Sequence, residues 1–197
     1  MSIPEYEDPV ALFRQWLAEA ERVESANPNA MALASVGADG TPSIRTVLLK
    51  GIGADGSIVF YTNAHSQKGR ELAANPAAAA CFYWRPLERQ VRIEGATSPV
   101  GDEEADEYFA TRPRGSQIGA WASEQSEVLE SRAALERQVE AVERRFAGGP
   151  VPRPPHWNGY RLTARHIEFW LSQASRLHYR LTYDREGSGW RRRWLNP

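Results

Sequence analysis

Residues 30–62, AMALASVGADGTPSIRTVLLKGIGADGSIVFYT, decide the fold. Short runs rich in apolar and β-branched residues alternate there with two copies of Gly-Ala-Asp-Gly, at 37–40 and 53–56. Asp-Gly between such runs is a strong hairpin signal, so strands are expected over 30–36, 42–50 and 57–62.

Upstream, Asp8-Pro9 pairs an N-cap with proline at the first helical position, and Phe13, Trp16, Leu17 and Ala20 recur at helical spacing. The helix is expected to reach about Ala26. Downstream, Ser66 can cap a short helix ending at Asn75, and 77–84 and 88–98 read as two further strands, the second alternating Gln90, Val91, Arg92, Ile93, Glu94. Three helical pieces follow, at 102–111, after Ser116, and at 127–146. Strand patterns return over 159–195, with a turn at Glu186-Gly187-Ser188-Gly189.

Regular strand–helix alternation is absent, which argues against a doubly wound parallel sheet. The expectation is α+β, mostly β: an antiparallel barrel with peripheral helices. The 197 residues, 42% apolar and 10% aromatic, suit one domain over 1–197, with 1–7 as a flexible lead-in.

Lys and Arg total 24 against 25 acidic residues, a net charge of -1, so no global basic field favours nucleic acid or anionic lipid. Cys81 stands alone and reads as a small apolar residue. The acidic N-terminus lacks signal-peptide order, and the longest apolar stretch, 73–84, is too short to span a bilayer. The cytoplasm is the expected compartment. Phosphate-loop, dinucleotide and zinc-protease motifs are absent, and four scattered histidines suggest no metal site.

Three basic constellations remain. In Arg45-Thr-Val-Leu-Leu-Lys50 a cation stands at each end of an apolar run, and an offset of five puts them on opposite faces of an unbroken strand. Either both are solvated ends, or a bulge or frayed end lets them share a ligand. Tyr108 and Arg112 lie one helical turn apart, Pro113 stops that helix, and Ser116 caps the next. Two guanidinium groups beside a helix N-terminus suit a phosphate, while pairing of the arginines with Glu103, Glu104 or Asp106 suits the sequence equally. In Arg176-Leu-His-Tyr-Arg180 a strand would project Arg176, His178 and Arg180 onto one face, where an anion would relieve their repulsion. A solvated sheet face is the alternative.

Taken in order, R-T-V-L-L-K at Arg45, F-Y-T-N at Phe60, L-E-R-Q-V at Leu87, R-P-R-G-S-Q-I-G-A-W at Arg112, I-E-F-W at Ile167 and R-L-H at Arg176 resemble the pyridoxamine 5'-phosphate oxidase family from about Asp8 to Pro197. The resemblance implies an FMN-binding split barrel, a homodimer with FMN at the interface, and oxidation of pyridoxamine or pyridoxine 5'-phosphate by dioxygen with release of hydrogen peroxide. Carried over by motif, FMN contacts fall on Arg45, Lys50, Tyr61, Thr62, Lys68, Gln90, Gln125, Ser126, Trp170 and Arg180. Lys50, Tyr108, Arg112 and Ser116 would hold the substrate phosphate, with Arg176 and His178 as catalytic residues beside the reacting end.

The chain departs from the family pattern at Gln67, where a basic residue is usual, at Asn158, where glycine is common, and at Tyr179, where an acidic residue is usual. Its lead-in before Asp8 is short and acidic, whereas many relatives have a longer basic one. Two other functions stay open at this stage: a same-fold oxidase of another substrate, such as a phenazine precursor, and a non-enzymatic binder of flavin or pyridoxal phosphate.

Overall fold

Both Gly-Ala-Asp-Gly segments turn the chain in the same way. The aspartate Oδ1 accepts the backbone amide two residues on, Asp39 from Thr41 at 2.9 Å and Asp55 from Ser57 at 3.0 Å. The closing glycines take positive φ, +82° at Gly40 and +83° at Gly56. In the computed structural model, which describes residues 2–197, the first turn joins β1 (Ala30–Val36) to β2 (Pro42–Leu48). The second joins β3 (Gly51–Ile52) to β4 (Ile58–Asn63).

The strand expected over 42–50 therefore breaks. Leu49 donates its amide to Asn29 at 2.9 Å, but Lys50 donates to Val59 at 2.8 Å, so the chain changes partner from the β1 side to β4 between adjacent residues.

Helix α1 (Pro9–Val23) starts as expected, with Asp8 Oδ1 accepting the Val10 amide at 2.9 Å, and ends short of Ala26. Ser66 caps α2 (Gln67–Ala74), and β5 (Ala77–Trp84) and β6 (Arg89–Pro99) follow. Next come α3 (Asp102–Ala110), α4 (Arg114–Ala122) and α5 (Arg132–Arg145), then β7 (Trp157–Leu171), β8 (Tyr179–Glu186) and β9 (Gly189–Leu195).

Two helix starts differ from expectation. Pro113 O accepts the amides of Ser116 (2.8 Å) and Gln117 (3.1 Å), so α4 opens at Arg114 and Ser116 lies inside its first turn rather than capping it. Helix α5 opens at Arg132 instead of near Glu127, because the Ser131 hydroxyl captures the Ala134 amide at 3.1 Å. A third difference concerns Arg176. The chain makes a 3-10 turn over Ala174–Arg176 with left-handed φ at Ser175 (+58°) and Arg176 (+62°), and β8 begins only at Tyr179. The strand expected to carry Arg176, His178 and Arg180 together does not exist.

All strand pairs are antiparallel, in the order β2-β1-β5-β6-β7-β4-β3, with β8 added to β7 and β9 to β8. Strand β7 holds β6 along one edge, while its other edge pairs β4 through Trp157–Leu162 and β8 through His166–Leu171. The curled antiparallel sheet splits there, as the expected barrel with peripheral helices requires. Helix α1 covers the inner face: Phe13 lies 5.1 Å from Phe82 and Trp16 meets Phe169 edge-on at 5.2 Å. Each such buried side chain contributes about 2 kcal/mol. A smaller cluster gathers Phe109, Ile118 and Val151 around Trp157, roofed by Val139 and Val142 of α5 and by Phe146 at its C-cap. Residues 2–7, expected as a flexible lead-in, lie along β8 and β9, where Ile3 is buried and Tyr6 O accepts the Tyr183 hydroxyl at 2.8 Å.

The β6/β7 register shifts between Glu94 and Gly95, leaving Arg165 as the extra residue of a bulge. A Cβ on Gly95 would stand 1.9 Å from Thr163 O. Gly95→Ala should therefore cost ~3 kcal/mol or more of unfolding free energy. Gly119→Ala in α4, where a Cβ meets nothing within 4 Å, should be neutral or stabilise by up to ~1 kcal/mol. Denaturant unfolding of the two variants checks the contrast.

Candidate functional site

A cavity of about 630 Å³ opens between β2 and β4 on one side and α3 and α4 on the other. Its floor is aromatic: Tyr61 stacks on Tyr108 at 4.1 Å and on Trp157 at 5.1 Å, with planes within 15° and 8° of parallel. Tyr61 faces Gly159 in the β4/β7 register, and a Cβ there would lie 2.6 Å from the Tyr61 ring. The glycine lets the ring lie flat.

Arg45 and Lys50 both line this cavity. They share it because β2 ends at Leu48, the frayed end that a common ligand demands. At the Arg45 end the guanidinium meets Glu71 Oε2 at 2.9 Å and donates to Leu33 O at 3.3 Å and to the Ser35 and Ser43 hydroxyls. Burial works against the Glu71 carboxylate, but hydrogen bonds from Ser35, Ser43, Gln67 and Arg45 outweigh it and bring its pKa to about 2. Gln67 donates to Glu71 Oε1 at 2.8 Å.

Lys68, 8% exposed, reaches the same end. Its Nζ donates to Gln125 Oε1 at 3.0 Å, Thr62 Oγ1 at 3.1 Å and Ser66 Oγ at 3.4 Å, all neutral oxygens. Burial and the neighbouring Arg45 charge lower its pKa. A buried ammonium with only neutral partners and a cationic neighbour is a fit for an anion.

Arg112 forms the other end with Lys50, Tyr108 and Ser116. It lies over Trp157 (4.8 Å) and Phe109 (5.4 Å), and its Nη1 is buried with no hydrogen-bond partner among the described residues. Burial pulls its pKa down. Of the acids that sequence alone left as possible partners, Asp106 holds Arg153 and Glu104 holds Arg161 at 2.8 Å, and among the described residues no ion pair joins Arg112 to these or to Glu103. The polar-connection alternative for Arg112 thereby loses its carboxylates.

Gln90, Ser126, Trp170, Arg176, His178 and Arg180 lie outside this cavity's lining. Ser126 follows Gln125 in a left-handed conformation, φ +77°. Gln90, Trp170 and Arg180 form a row across β6, β7 and β8, and the His178 ring lies 4.7 Å from Trp170. His178 Nδ1 accepts the Gln173 amide at 3.1 Å, which leaves Nε2 to carry the proton of a neutral imidazole. Arg180 grips Glu168 through two bonds of 2.7 and 3.1 Å. Arg176 is exposed on the 3-10 turn. Repulsion among three cations on one strand face therefore does not arise, and that argument for an anion falls.

Sequence reasoning passed over Glu71, Trp157, Gly159 and Glu168. Their partners are distant in the chain, so no local spacing marks them. Of the departures from the family pattern, Asn158 bonds the Gly159 amide at 2.8 Å, and Tyr179 packs edge-on to Trp194 at 6.2 Å.

Arg112→Met keeps the contact with Trp157 and removes the unpartnered donor. The variant should be as stable as the parent, or more stable by ~1 kcal/mol. Added inorganic phosphate should raise the melting temperature of the parent more than that of the variant, which keeps only the Arg45–Lys68 end. Thermal denaturation with and without phosphate checks both.

Residues 17–146 match a family profile described as pyridoxamine 5'-phosphate oxidase, and residues 157–197 match one described as the pyridoxine 5'-phosphate oxidase C-terminal dimerisation region. A pyridoxine/pyridoxamine 5'-phosphate oxidase of Rubrobacter xylanophilus is 57% identical over 96% of this chain and 87% of its own. That of Rhodospirillum rubrum is 54% identical over the full length of both. Among solved structures, PhzG from Burkholderia lata, in complex with tetrahydrophenazine-1-carboxylic acid, superimposes with a TM-score of 0.91 at 35% identity, covering 98% of this chain and 94% of that one. With profiles covering both the cavity and the β7–β9 region, the chain belongs to the pyridoxamine 5'-phosphate oxidase family.

Proposed function

We propose that this chain is an FMN-dependent oxidase that converts pyridoxamine and pyridoxine 5'-phosphate to pyridoxal 5'-phosphate. The observation that carries the reading is a single cavity with two separate cationic ends, Arg45 with Lys68 and Arg112 with Lys50, joined by an aromatic floor. A flavin mononucleotide and a phosphorylated pyridine each bring one phosphate and one flat ring.

In this reading Arg45, Lys68, Thr62 and Gln125 hold the FMN phosphate and ribityl chain, with Lys50, Tyr61 and Ser126 adding contacts. Arg112, Tyr108, Ser116 and Lys50 hold the substrate phosphate. Bound FMN would supply the redox chemistry, accepting a hydride from the substrate C4' and passing the electrons to dioxygen as hydrogen peroxide; the alcohol then gives the aldehyde by losing its hydroxyl proton, and the amine gives an imine that water hydrolyses to the aldehyde and ammonia. The chain's own part is positional. Arg112 fixes the substrate at its far end, so that C4' is presented at one place. Arg176 would favour charge developing at the reacting end, and His178 would donate from Nε2 to the substrate.

Arg176 and His178 reach that place only from a second copy of the chain. Gly159, under Tyr61, and Trp170, beside His178, lie on one strand. Eleven residues of strand separate them by roughly 30–36 Å along β7. Gln90, Trp170, Arg176, His178 and Arg180 would therefore complete the cavity of a partner in a homodimer, with FMN at the interface. Leu177, Tyr179, Trp194 and Leu195 leave apolar surface exposed on this same region, which suits an interface. No helix among the described residues is long and apolar enough to cross a membrane, and the cytoplasm is the compartment we assign.

A phenazine-type substrate is less well supported. A phenazine carboxylate could also meet the Arg112 guanidinium, so what favours the phosphorylated pyridine is the higher identity to the pyridoxine/pyridoxamine 5'-phosphate oxidases, 57% and 54% against 35%.

The purified protein should be yellow, and anaerobic pyridoxamine 5'-phosphate should bleach it. A colourless protein that cannot be reconstituted with FMN would remove the cofactor reading, and a yellow one that stays yellow would remove the substrate reading. Mixing inactive Arg112→Met chains with inactive Arg176→Ala chains should restore about a quarter of parental activity, because each mixed dimer holds one intact site. No recovery after confirmed subunit exchange would show that each chain builds its site alone.

A further inference from the structure

Glu71 occupies an unexpected place, a carboxylate beside the two cations assigned to a phosphate. By charge alone it would repel that anion and weaken binding. Its bonds suggest the opposite effect. Oε2 accepts from the Ser35 hydroxyl at 2.6 Å, the Ser43 hydroxyl at 2.6 Å and Arg45 at 2.9 Å. Both hydroxyls in turn accept from Arg45, so the guanidinium and the carboxylate are linked directly and through each serine. The network ties α2 to β1 and β2, and the Glu71 side chain is only 10% exposed.

We propose that Glu71 is the positioning residue of the cofactor-phosphate subsite, holding the Arg45 guanidinium in one orientation at the cavity wall before FMN binds. The inference rests on the cofactor reading above. A free arginine side chain loses considerable rotamer entropy when it grips a ligand, and one already locked by a carboxylate and two hydroxyls has lost it on folding. Glu71 also offsets one of two close cations, Arg45 and Lys68, so the empty subsite holds one net positive charge instead of two. Gln67 fits the same account. At a position where relatives usually carry a basic residue, its amide is committed to Glu71 Oε1, which leaves phosphate capture to Arg45 and Lys68.

The test is titration of FMN, and of riboflavin as the phosphate-free control, into full-length apoprotein, followed by quenching of flavin fluorescence. Glu71→Gln should weaken FMN binding about tenfold while riboflavin binding changes by less than about twofold. In an Arg45→Ala background the same substitution should add less than about twofold, because its effect runs through Arg45. Should Glu71→Gln fail to fold, Ser43→Ala on the edge strand removes one bridge and keeps the carboxylate. It should weaken FMN about threefold and spare riboflavin. FMN binding by Glu71→Gln that equals or exceeds the parent's overturns the inference, since the carboxylate would then act only as a repelling charge. Equal losses for FMN and riboflavin overturn it too, as a general structural effect. A parent protein that binds no FMN removes the cofactor reading together with this inference, whereas a parent that binds FMN beside an unaffected Glu71→Gln removes the inference alone.

Discussion

An extended strand advances about 3.3 Å per residue and cannot shorten without breaking its ladders. Strand β7 holds that geometry for fifteen residues, and it pairs β4 at one end, β8 at the other and β6 along most of its length. Its first half carries Trp157 and Gly159 beneath the cavity floor, and its second carries Glu168 and Trp170. The bulge opposite Gly95 lets β6 follow the curl while both ladders stay paired. The stiffness that organises the sheet also keeps the two groups of family residues apart within a chain. In the proposed function a complete site then calls for two chains.

The cationic side chains divide by what already compensates them. Arg45 is bound to Glu71, and Arg180 is bound to Glu168, a carboxylate 3% exposed that also meets Arg92 at 3.1 Å. Such pairs fix the guanidinium before any ligand arrives. Arg112 has aromatic faces and one buried, unpartnered nitrogen. Leaving a donor in that state costs about 1–3 kcal/mol, which the proposed substrate phosphate would recover. A locked guanidinium suits a ligand that stays, and an uncompensated one suits a ligand that comes and goes. The proposed division into resident FMN and exchanging substrate follows that contrast.

Much of the fold was legible because its signals are local. Asp39 and Asp55 bond amides two residues away, and Asp8 and Ser66 bond amides two and three residues on, so sequence spacing contains all of the relevant geometry. The misread boundaries were settled by competition between neighbouring signals. Pro113 O accepted the amides of Ser116 and Gln117 and so opened α4 before Ser116 could cap it, and Ser131 stopped α5 from reaching back to Glu127. At Arg176 the alternation of residue types imitated a strand, but left-handed φ at Ser175 and Arg176 broke it, and nothing in the residue types of that run marks the break.

The sequence by itself determined the antiparallel class, the hairpins, the Asp8 and Ser66 helix caps and, through motif resemblance, the family and a candidate set of site residues. The tertiary structure alone decided how those residues are grouped and charged. Lys68 meets Gln125 across 57 positions, Arg45 meets Glu71 across 26, and Arg112 meets no carboxylate among the described residues. A residue's type gives its charge, but the cost of that charge depends on burial and on partners that come from anywhere in the chain.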